Sequence, residues 1–235
     1  MRIKNILFFD KVESTQLLAK EFIFCKKDLL IVANEQEKGY GRYQRFWYSP
    51  IGGLYFSFLL NLEKEEIISP FDIIFHIVKS VTISCEEVFI LKEKLQIKWP
   101  NDIYYQDRKL CGILAEKFNS SLICGCGINL NNNEFPQEIN NAISLKEILK
   151  REINSYEKFL LLENILQKIN YQEIRKEDLL IFLKERNYLK NKKVKILLSY
   201  KKEITGICVD IDEDYSLLLE KGIKIFSGEV EKVYL

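Results

Sequence analysis

Residues 96–128 read QIKWPNDIYYQDRKLCGILAEKFNSSLICGCGI. The stretch contains four short strand candidates, at residues 96–99, 103–105, 112–115 and 122–128, and turn residues separate them. Sequential short strands with few helices between them favour an α+β arrangement over alternating strands and helices. We therefore expect a mixed β-sheet with helices on one face.

Similar patterns extend on both sides of this stretch. Apolar runs at residues 3–9, 29–32 and 54–60 predict three further strands. Ser14 is suited to cap a helix that ends near residue 24, and residues 70–91, 144–150 and 156–188 have helical character. Five short β-like runs follow, at residues 194–198, 204–209, 217–219, 223–226 and 230–234. The pattern predicts a main domain of residues 1–188 and a small β-barrel of residues 189–235.

The overall composition excludes several classes of protein. The 235 residues include 35 basic and 34 acidic ones, and a net charge near +1 argues against nucleic-acid binding through overall charge. No apolar run approaches the roughly 18 residues of a membrane span, so we expect no membrane association. The six cysteines form no C-x-x-C pair, and reduced thiols in the cytoplasm are their simplest explanation. The single histidine, His76, excludes a histidine-rich zinc site.

Seven of the ten glycines fall between Gly39 and Gly127, and they mark segments that core packing does not explain. The first segment is a long loop of residues 35–53. In it, Gly39 and Gly41 let the backbone approach a ligand closely and take positive φ. Arg42 and Arg45 offer planar donors suited to carboxylate or phosphate. The alternative is a solvated surface loop with incidental arginines.

Three further segments have the same character. Asn101 and Asp102, which end the sequence K-W-P-N-D, either form an ordinary turn or point into a cleft at the strand end. Lys109 is either a solvated turn residue or a cation fixed on a rigid element. In the segment 125–129, two glycines interrupt an apolar strand, where glycine is costly, and this indicates close approach of a ligand or another backbone.

Taken together and in this order, these segments resemble the motifs of the biotin–protein ligases. The family patterns are S-T near the N-terminus, Q-x-x-G-R-G-R-x-x-R-x-W, G-G-L-Y-x-S, K-W-P-N-D, K-x-x-G-I-L and G-x-G-I-N. Here they lie at residues 14–15, 36–47, 52–57, 98–102, 109–114 and 125–129. The resemblance implies that residues 1–188 are the catalytic domain and that residues 189–235 are the small SH3-like domain that ends these enzymes.

The resemblance implies an ATP-dependent reaction in two steps. The carboxylate of biotin attacks the α-phosphate of ATP, which gives biotinyl-5′-AMP and pyrophosphate. The ε-amine of a lysine on a biotin carboxyl carrier protein domain of a biotin-dependent carboxylase then displaces AMP. Magnesium (Mg²⁺) neutralises the phosphates.

The resemblance also assigns roles by motif position. The expected catalytic residues are Lys109, which holds the biotin carboxylate and the α-phosphate, Arg42, which clamps phosphate, and Asp102, which orients the incoming amine or accepts its proton. The expected biotin-binding residues are Ser14, Thr15, Gln36, Gly39, Trp47, Lys109, Gly112, Gly125 and Gly127. The expected ATP- and adenylate-binding residues are Arg42, Arg45, Asn101 and Asn129. No residue is expected to ligate a resident metal.

Two positions depart from the family pattern. Tyr40 stands where the family has the first arginine of G-R-G-R, and it either covers the adenylate by stacking or retains it less well. An arginine that reaches the nucleotide from the C-terminal end is replaced at the aligned point by Val233. The chain also begins at the first catalytic strand, without the helix-turn-helix segment of the bifunctional ligase-repressors, so we expect no specific DNA binding. The resemblance allows a homodimer that pairs through sheet edges.

Two alternative functions are compatible with parts of the pattern. A lipoate– or octanoate–protein ligase shares the catalytic architecture, although its histidine-bearing signature is missing here. A non-catalytic adaptor that binds carrier domains would need neither Lys109 nor Arg42. Pyrophosphate release from ATP in the presence of free biotin distinguishes all three functions.

Overall fold

The fold consists of two β-sheets and five α-helices within the part of the chain that the structure describes. This computed structural model describes residues 3, 5–25, 27–62, 69–139, 141–169, 174–198 and 202–234. The first sheet has seven strands in the order β1-β2-β3-β7-β6-β5-β4. Its strands are β1 (Ile6–Val12), β2 (Leu29–Gln36), β3 (Leu54–Asn61), β4 (Gln96–Lys98), β5 (Asp102–Tyr105), β6 (Arg108–Phe118) and β7 (Ser121–Ile128).

The first sheet is mixed, as the sequence predicts. Strands β1 and β2 are parallel, whereas every other neighbouring pair is antiparallel. All four strand candidates between residues 96 and 128 are strands of this sheet. The largest difference from the sequence prediction is β6, which runs from Arg108 to Phe118 and so includes Lys109 within the strand.

The two faces of the sheet are covered differently. Leu30 and Val32 of β2 belong to the large core, which helices α2 (Pro70–Phe89), α4 (Ser155–Lys168) and α5 (Lys176–Glu185) cover. Leu29 and Ile31 point to the opposite face, where α1 (Thr15–Glu21) packs. The expected α+β class is confirmed, and the long helices share one face as expected. The short helix α1 is the exception, and it covers only part of the other face.

Local capping explains where several helices begin. The side-chain oxygen of Ser14 accepts hydrogen bonds from the backbone N–H groups of Gln16 and Leu17, so Ser14 is the predicted cap of α1. Helix α2 has Ser69 as its cap and Pro70 at its first position, where a missing N–H costs nothing. Ser144 caps the short helix α3 (Leu145–Leu149).

The second sheet is antiparallel throughout, with the strand order β11-β10-β9-β8-β12. Its strands are β8 (Lys193–Leu197), β9 (Glu203–Ile211), β10 (Leu217–Leu219), β11 (Lys224–Ile225) and β12 (Glu229–Tyr234). Each of the five β-like runs after residue 188 is therefore a strand. Their buried residues belong to the same core as α2 and the first sheet.

Tyr215 joins the second sheet to the first domain. Its ring lies 4.8 Å from the ring of Phe75 on α2, centroid to centroid. Its carbonyl accepts a hydrogen bond of 2.9 Å from Trp99 Nε1, and its hydroxyl donates to Asp72 Oδ1 over 2.5 Å. The two sheets are therefore held together by specific polar contacts as well as by apolar burial. No helix of the described ranges is both long and apolar enough to cross a membrane.

The hydroxyl of Tyr215 offers a direct test of this junction. We expect Tyr215→Phe to lower the free energy of unfolding by about 1–2 kcal/mol, because it leaves the ring packing intact and removes a hydrogen bond to a carboxylate. Chemical denaturation measures the loss. The control is Tyr234→Phe, because Tyr234 is 39% exposed. Equal stabilities of the two variants would contradict the proposed contribution.

Candidate active site

One cavity lies between the uncovered part of the sheet face, the loop of residues 36–49 and strand β12. Its volume is about 380 Å³, which is within the range of small-molecule sites. All but one of the residues that the sequence predicts for the site line this cavity. They are Ser14, Thr15, Gln36, Arg42, Arg45, Trp47, Asn101, Asp102, Lys109, Gly112, Gly125, Gly127 and Asn129.

Glycines form the floor of the cavity. Gly112 of β6 and Gly127 of β7 are opposite each other in register, and the indole of Trp47 lies above them. A Cβ atom at Gly127 would lie 2.2 Å from Trp47 Nε1, and one at Gly112 would lie 3.0 Å from Trp47 Cζ3. Any side chain at either position would therefore displace the ring. Trp47 Nε1 is buried and has no hydrogen-bond partner among the described residues.

Gly39 is the predicted site residue that does not line the cavity. A Cβ atom there would lie 2.6 Å from Ser49 Oγ and 2.7 Å from the carbonyl oxygen of Trp47, so close packing behind the wall requires glycine. The prediction of positive φ at Gly39 and Gly41 is also wrong. The left-handed residues of the loop are Tyr43 (φ 57°) and Gln44 (φ 59°).

Hydrogen-bonding groups line one end of the cavity. Gln36 Oε1 accepts from the backbone N–H of Thr15 over 2.8 Å and from Thr15 Oγ1 over 3.1 Å. Thr15 Oγ1 lies 2.8 Å from Ser57 Oγ, which lies 3.1 Å from Gln16 Oε1. Gln36 Nε2 donates to Ser49 Oγ on the outer side. Gln36 therefore directs its oxygen toward α1 and its nitrogen into the loop.

Lys109 and Asp102 form an ion pair near the middle of the cavity. Lys109 Nζ lies 2.8 Å from Asp102 Oδ2 and 5.1 Å from the centre of the Trp47 ring. The register between β5 and β6 shifts beside Lys109, since Ile103 pairs with Cys111 while Tyr104 pairs with Lys109. This bulge turns Lys109 to the face of Gly112, above which its Cε atom lies.

Lys98 is a second lysine of the cavity, and no sequence pattern predicts a role for it. Burial lowers its pKa, and the nearby cations Lys109 and Arg45 lower it further, against the attraction of Asp102. Its Nζ donates to the hydroxyl of Tyr104 over 3.4 Å. No carboxylate in the described ranges forms an ion pair with it. A partly buried cation of this kind favours an anionic ligand.

The two arginines of the loop have different partners. Arg45 forms an ion pair with Glu229 of β12, and Arg42 stacks on the ring of Tyr43. Glu229, Val230 and Glu231 line the cavity, so β12 supplies one of its walls. The second sheet therefore reaches the site, and it does so with carboxylates.

The two asparagines of the site bind backbone groups. Asn101 Nδ2 donates to the carbonyl of Ile113. Asn129 is buried, and its Nδ2 donates to the carbonyl of Ile143 over 3.2 Å. Both amides therefore fix the positions of strands around the cavity.

Tyr40 lines the cavity and faces a carboxylate outside it. Its hydroxyl donates to Glu116 Oε2 over 3.0 Å, and the same carboxylate pairs with Lys20 Nζ at 3.0 Å. Burial raises the pKa of Tyr40, so the hydroxyl stays protonated and keeps its role as a donor. The sequence patterns predict no role for Gln16, Ser57 or Glu116. The signal for Glu116 is its alternation with Gly112, since both point to the same face of β6.

Comparison with known proteins places this site in a family. The family model described as "Biotin/lipoate A/B protein ligase family" matches residues 8–133, more than half of the chain. The chain belongs to this family. The description names both biotin and lipoate, so individual relatives refine the comparison.

The relatives confirm the resemblance to biotin–protein ligases. The bifunctional ligase/repressor BirA of Escherichia coli is 31% identical over 207 residues, which cover 81% of this chain and 61% of BirA. BirA of Salmonella typhimurium is 30% identical, with coverage of 92% of this chain and 70% of that protein. A solved structure of biotin protein ligase from Aquifex aeolicus in complex with biotin and ATP has a TM-score of 0.80 at 33% identity, and the match covers 96% of this chain and 97% of that one. The chain thus spans about three-fifths of the E. coli relative.

The contact between Gly127 and Trp47 is testable by fluorescence. We expect Gly127→Ala to expel the indole, because the new methyl group would overlap Trp47 Nε1. The tryptophan emission should shift to longer wavelength and become more sensitive to acrylamide. Gly206→Ala is the control, since its Cβ atom would lie 3.4 Å from Leu219 in ordinary contact. An unchanged spectrum for Gly127→Ala would mean that the ring does not rest on this strand.

The lowered pKa of Lys98 predicts a stability effect that depends on pH. The folded state binds the proton of Lys98 more weakly than the unfolded state does, so the charged lysine destabilises the fold at neutral pH. We expect Lys98→Met to raise the unfolding midpoint at neutral pH. The gain should shrink as the pH rises toward 10.5, where the native lysine loses its charge in the folded state first. Lys117→Met, at an exposed position of β6, should show neither effect.

Proposed function

We propose that this protein is an ATP-dependent biotin–protein ligase that forms biotinyl-5′-AMP and transfers the biotinyl group to a lysine of a carrier domain. The proposal rests on one observation, which is that a single cavity combines uncharged hydrogen-bonding groups with several cations. One end has the acceptor and hydroxyl groups around Gln36, and the remaining part has the cations Lys98, Lys109 and Arg42. A glycine floor beneath Trp47 connects them.

The first step brings two anions together. An oxygen of the biotin carboxylate attacks the α-phosphorus of ATP, the bond to the β-phosphate oxygen breaks, and pyrophosphate leaves with the electron pair. Lys109, fixed at 2.8 Å from Asp102 and above Gly112, supplies positive charge at the middle of the cavity, where the carboxylate and the α-phosphate would meet. Lys98 and Arg42 add charge toward the phosphates.

The second step needs a base and a leaving group. The amine of the carrier lysine attacks the acyl carbon, and AMP leaves with the electron pair of the acyl–oxygen bond. The amine nitrogen must lose a proton, and Asp102 is the carboxylate nearest to Lys109 that can accept it. Trp47 and Tyr40 would shield the adenylate from water, since both belong to the loop that covers the cavity.

Magnesium fits this site only as the counter-ion of the triphosphate. The described residues contain no cluster of three or more metal-ligating side chains. Each carboxylate that lines the cavity, Asp102, Glu229 or Glu231, forms an ion pair with a lysine or arginine. Phosphate oxygens and water would therefore hold Mg²⁺, which is its usual mode of binding to nucleotides.

The acceptor is expected to be a biotin carboxyl carrier protein domain, because the second step needs an exposed lysine on a folded partner. We assign residues 1–188 to biotin activation and residues 189–235 to an accessory domain that contributes the β12 wall. All six cysteines are free thiols, which together with ATP use favours the cytoplasm.

Pyrophosphate release tests the proposal against its two alternatives. Purified protein with ATP and free biotin should release pyrophosphate, and lipoate or octanoate should not replace biotin. A lipoate ligase would show the reverse preference. An adaptor would release no pyrophosphate with any of these acids, and that result would refute the proposal.

Lys109→Ala tests the central role of the cavity lysine. We expect biotin-dependent pyrophosphate release to fall by about a hundredfold or more, because no other cation takes the position above Gly112. The unfolding midpoint should change little, since the side chain is partly exposed. Lys117→Ala, at an exposed position of β6, serves as the control and should retain full activity. Normal turnover by Lys109→Ala would disprove this assignment.

A further inference from the structure

Glu116 does not line the cavity, but its carboxylate contacts three hydrogen-bond donors. Its carboxylate accepts from Gln16 Nε2 at 3.0 Å and from the Tyr40 hydroxyl at 3.0 Å, and it pairs with Lys20 Nζ. Gln16 and Tyr40 both line the cavity. Glu116 therefore lies directly behind two groups that a ligand would touch.

The contacts of Gln16 fix the orientation of its amide. Nε2 faces the Glu116 carboxylate and, at 3.3 Å, the carbonyl of Ile123, and both of these groups only accept hydrogen bonds. Oε1 consequently points the other way, over Gly125, where a Cβ atom would lie 2.5 Å from it. The glycine thus opens the space in which the Gln16 oxygen faces the cavity.

The hydroxyl groups beside Gln16 do not have enough protons for all their contacts. Ser57 is placed to donate to Gln16 Oε1, and Thr15 is placed to donate to Gln36 Oε1. The 2.8 Å contact between the two hydroxyls needs a third proton, and the pair has only two. This end of the cavity therefore has a surplus of acceptors, and it suits a ligand head group that brings N–H donors.

We propose that Glu116 is a positioning residue that makes this end of the cavity selective for a cyclic urea. It does so by holding the Gln16 oxygen toward the ligand and by holding Tyr40 against the same end. The inference rests on the proposed ligase function. It adds Gln16 to the residues that would recognise the head group of the ligand. A sulfur ring without N–H groups would leave the acceptors unpaired, which explains discrimination against it.

The alternative is that Glu116 only docks α1 on the sheet, since Gln16 and Lys20 both belong to that helix. That role predicts a loss of stability without a selective change in the KM for biotin. The two roles are separable because Glu86 is a carboxylate of similar burial that serves structure alone. The Glu86 side chain is 18% exposed and the Glu116 side chain 24%, and Glu86 accepts from Arg186 and from the backbone N–H of Leu95, remote from the cavity.

The test compares steady-state kinetics of Glu116→Gln, Gln16→Leu and the double variant. An amide at residue 116 can donate to Gln16, which lets the Gln16 amide turn and present its nitrogen to the ligand. We expect Glu116→Gln to raise the KM for biotin about tenfold with little change in kcat or in the KM for ATP. Gln16→Leu should give a similar rise. The double variant should be no worse than either single one, because Glu116 acts through Gln16.

Two further measurements complete the test. Desthiobiotin, which keeps the cyclic urea and lacks the sulfur, should show the same rise in KM. Glu86→Gln should lower the unfolding midpoint and leave the KM for biotin unchanged. An additive loss in the double variant, or an unchanged KM in both single variants, would overturn the inference while the wild type still releases pyrophosphate. Failure of the wild type to do so would instead overturn the ligase function itself, and this inference with it.

Discussion

The arrangement of the site depends on a strip of sheet surface that has no side chains. Gly112, Gly125 and Gly127 lie next to one another on β6 and β7, on the face that α1 covers elsewhere. Because these positions carry no Cβ atoms, the Trp47 indole and the Gln16 amide can lie directly on the backbone. Helix α1 covers another part of this face, and the glycine strip is left to form the floor of the cavity.

At the other end of this strip, desolvation of a lysine and repulsion among positive charges lower the stability of the fold. Lys98 is held in a partly buried position where desolvation lowers its pKa, and Lys109 and Arg45 add to the same positive field. A fold under selection for stability alone would replace such a lysine by an apolar residue. Its cost is consistent with a site that must bring a carboxylate and a triphosphate together, since bound anions would offset the repulsion.

Local sequence signals predicted much of this molecule, and tertiary contacts account for the rest. The cap at Ser14 and all four runs from residue 96 to 128 were readable, because they depend on neighbours in the chain. The bulge that turns Lys109 toward Asp102 depends on pairing between β5 and β6, and no local pattern announces it. The motif pattern predicts that Gly39 binds the ligand. Its packing against Ser49 is visible only in three dimensions. The contact of Tyr40 with Glu116 joins residues 76 positions apart, beyond the reach of a motif.

The wall that β12 contributes has a consequence for biosynthesis. Glu229, Val230 and Glu231 are the last cavity residues in the chain, and every other lining residue lies at position 142 or earlier. On the ribosome, the glycine strip and its lysines are therefore complete long before the cavity is closed on that side. A nascent chain would therefore have a cavity that stays open on the side of β12 until that strand has paired with β8.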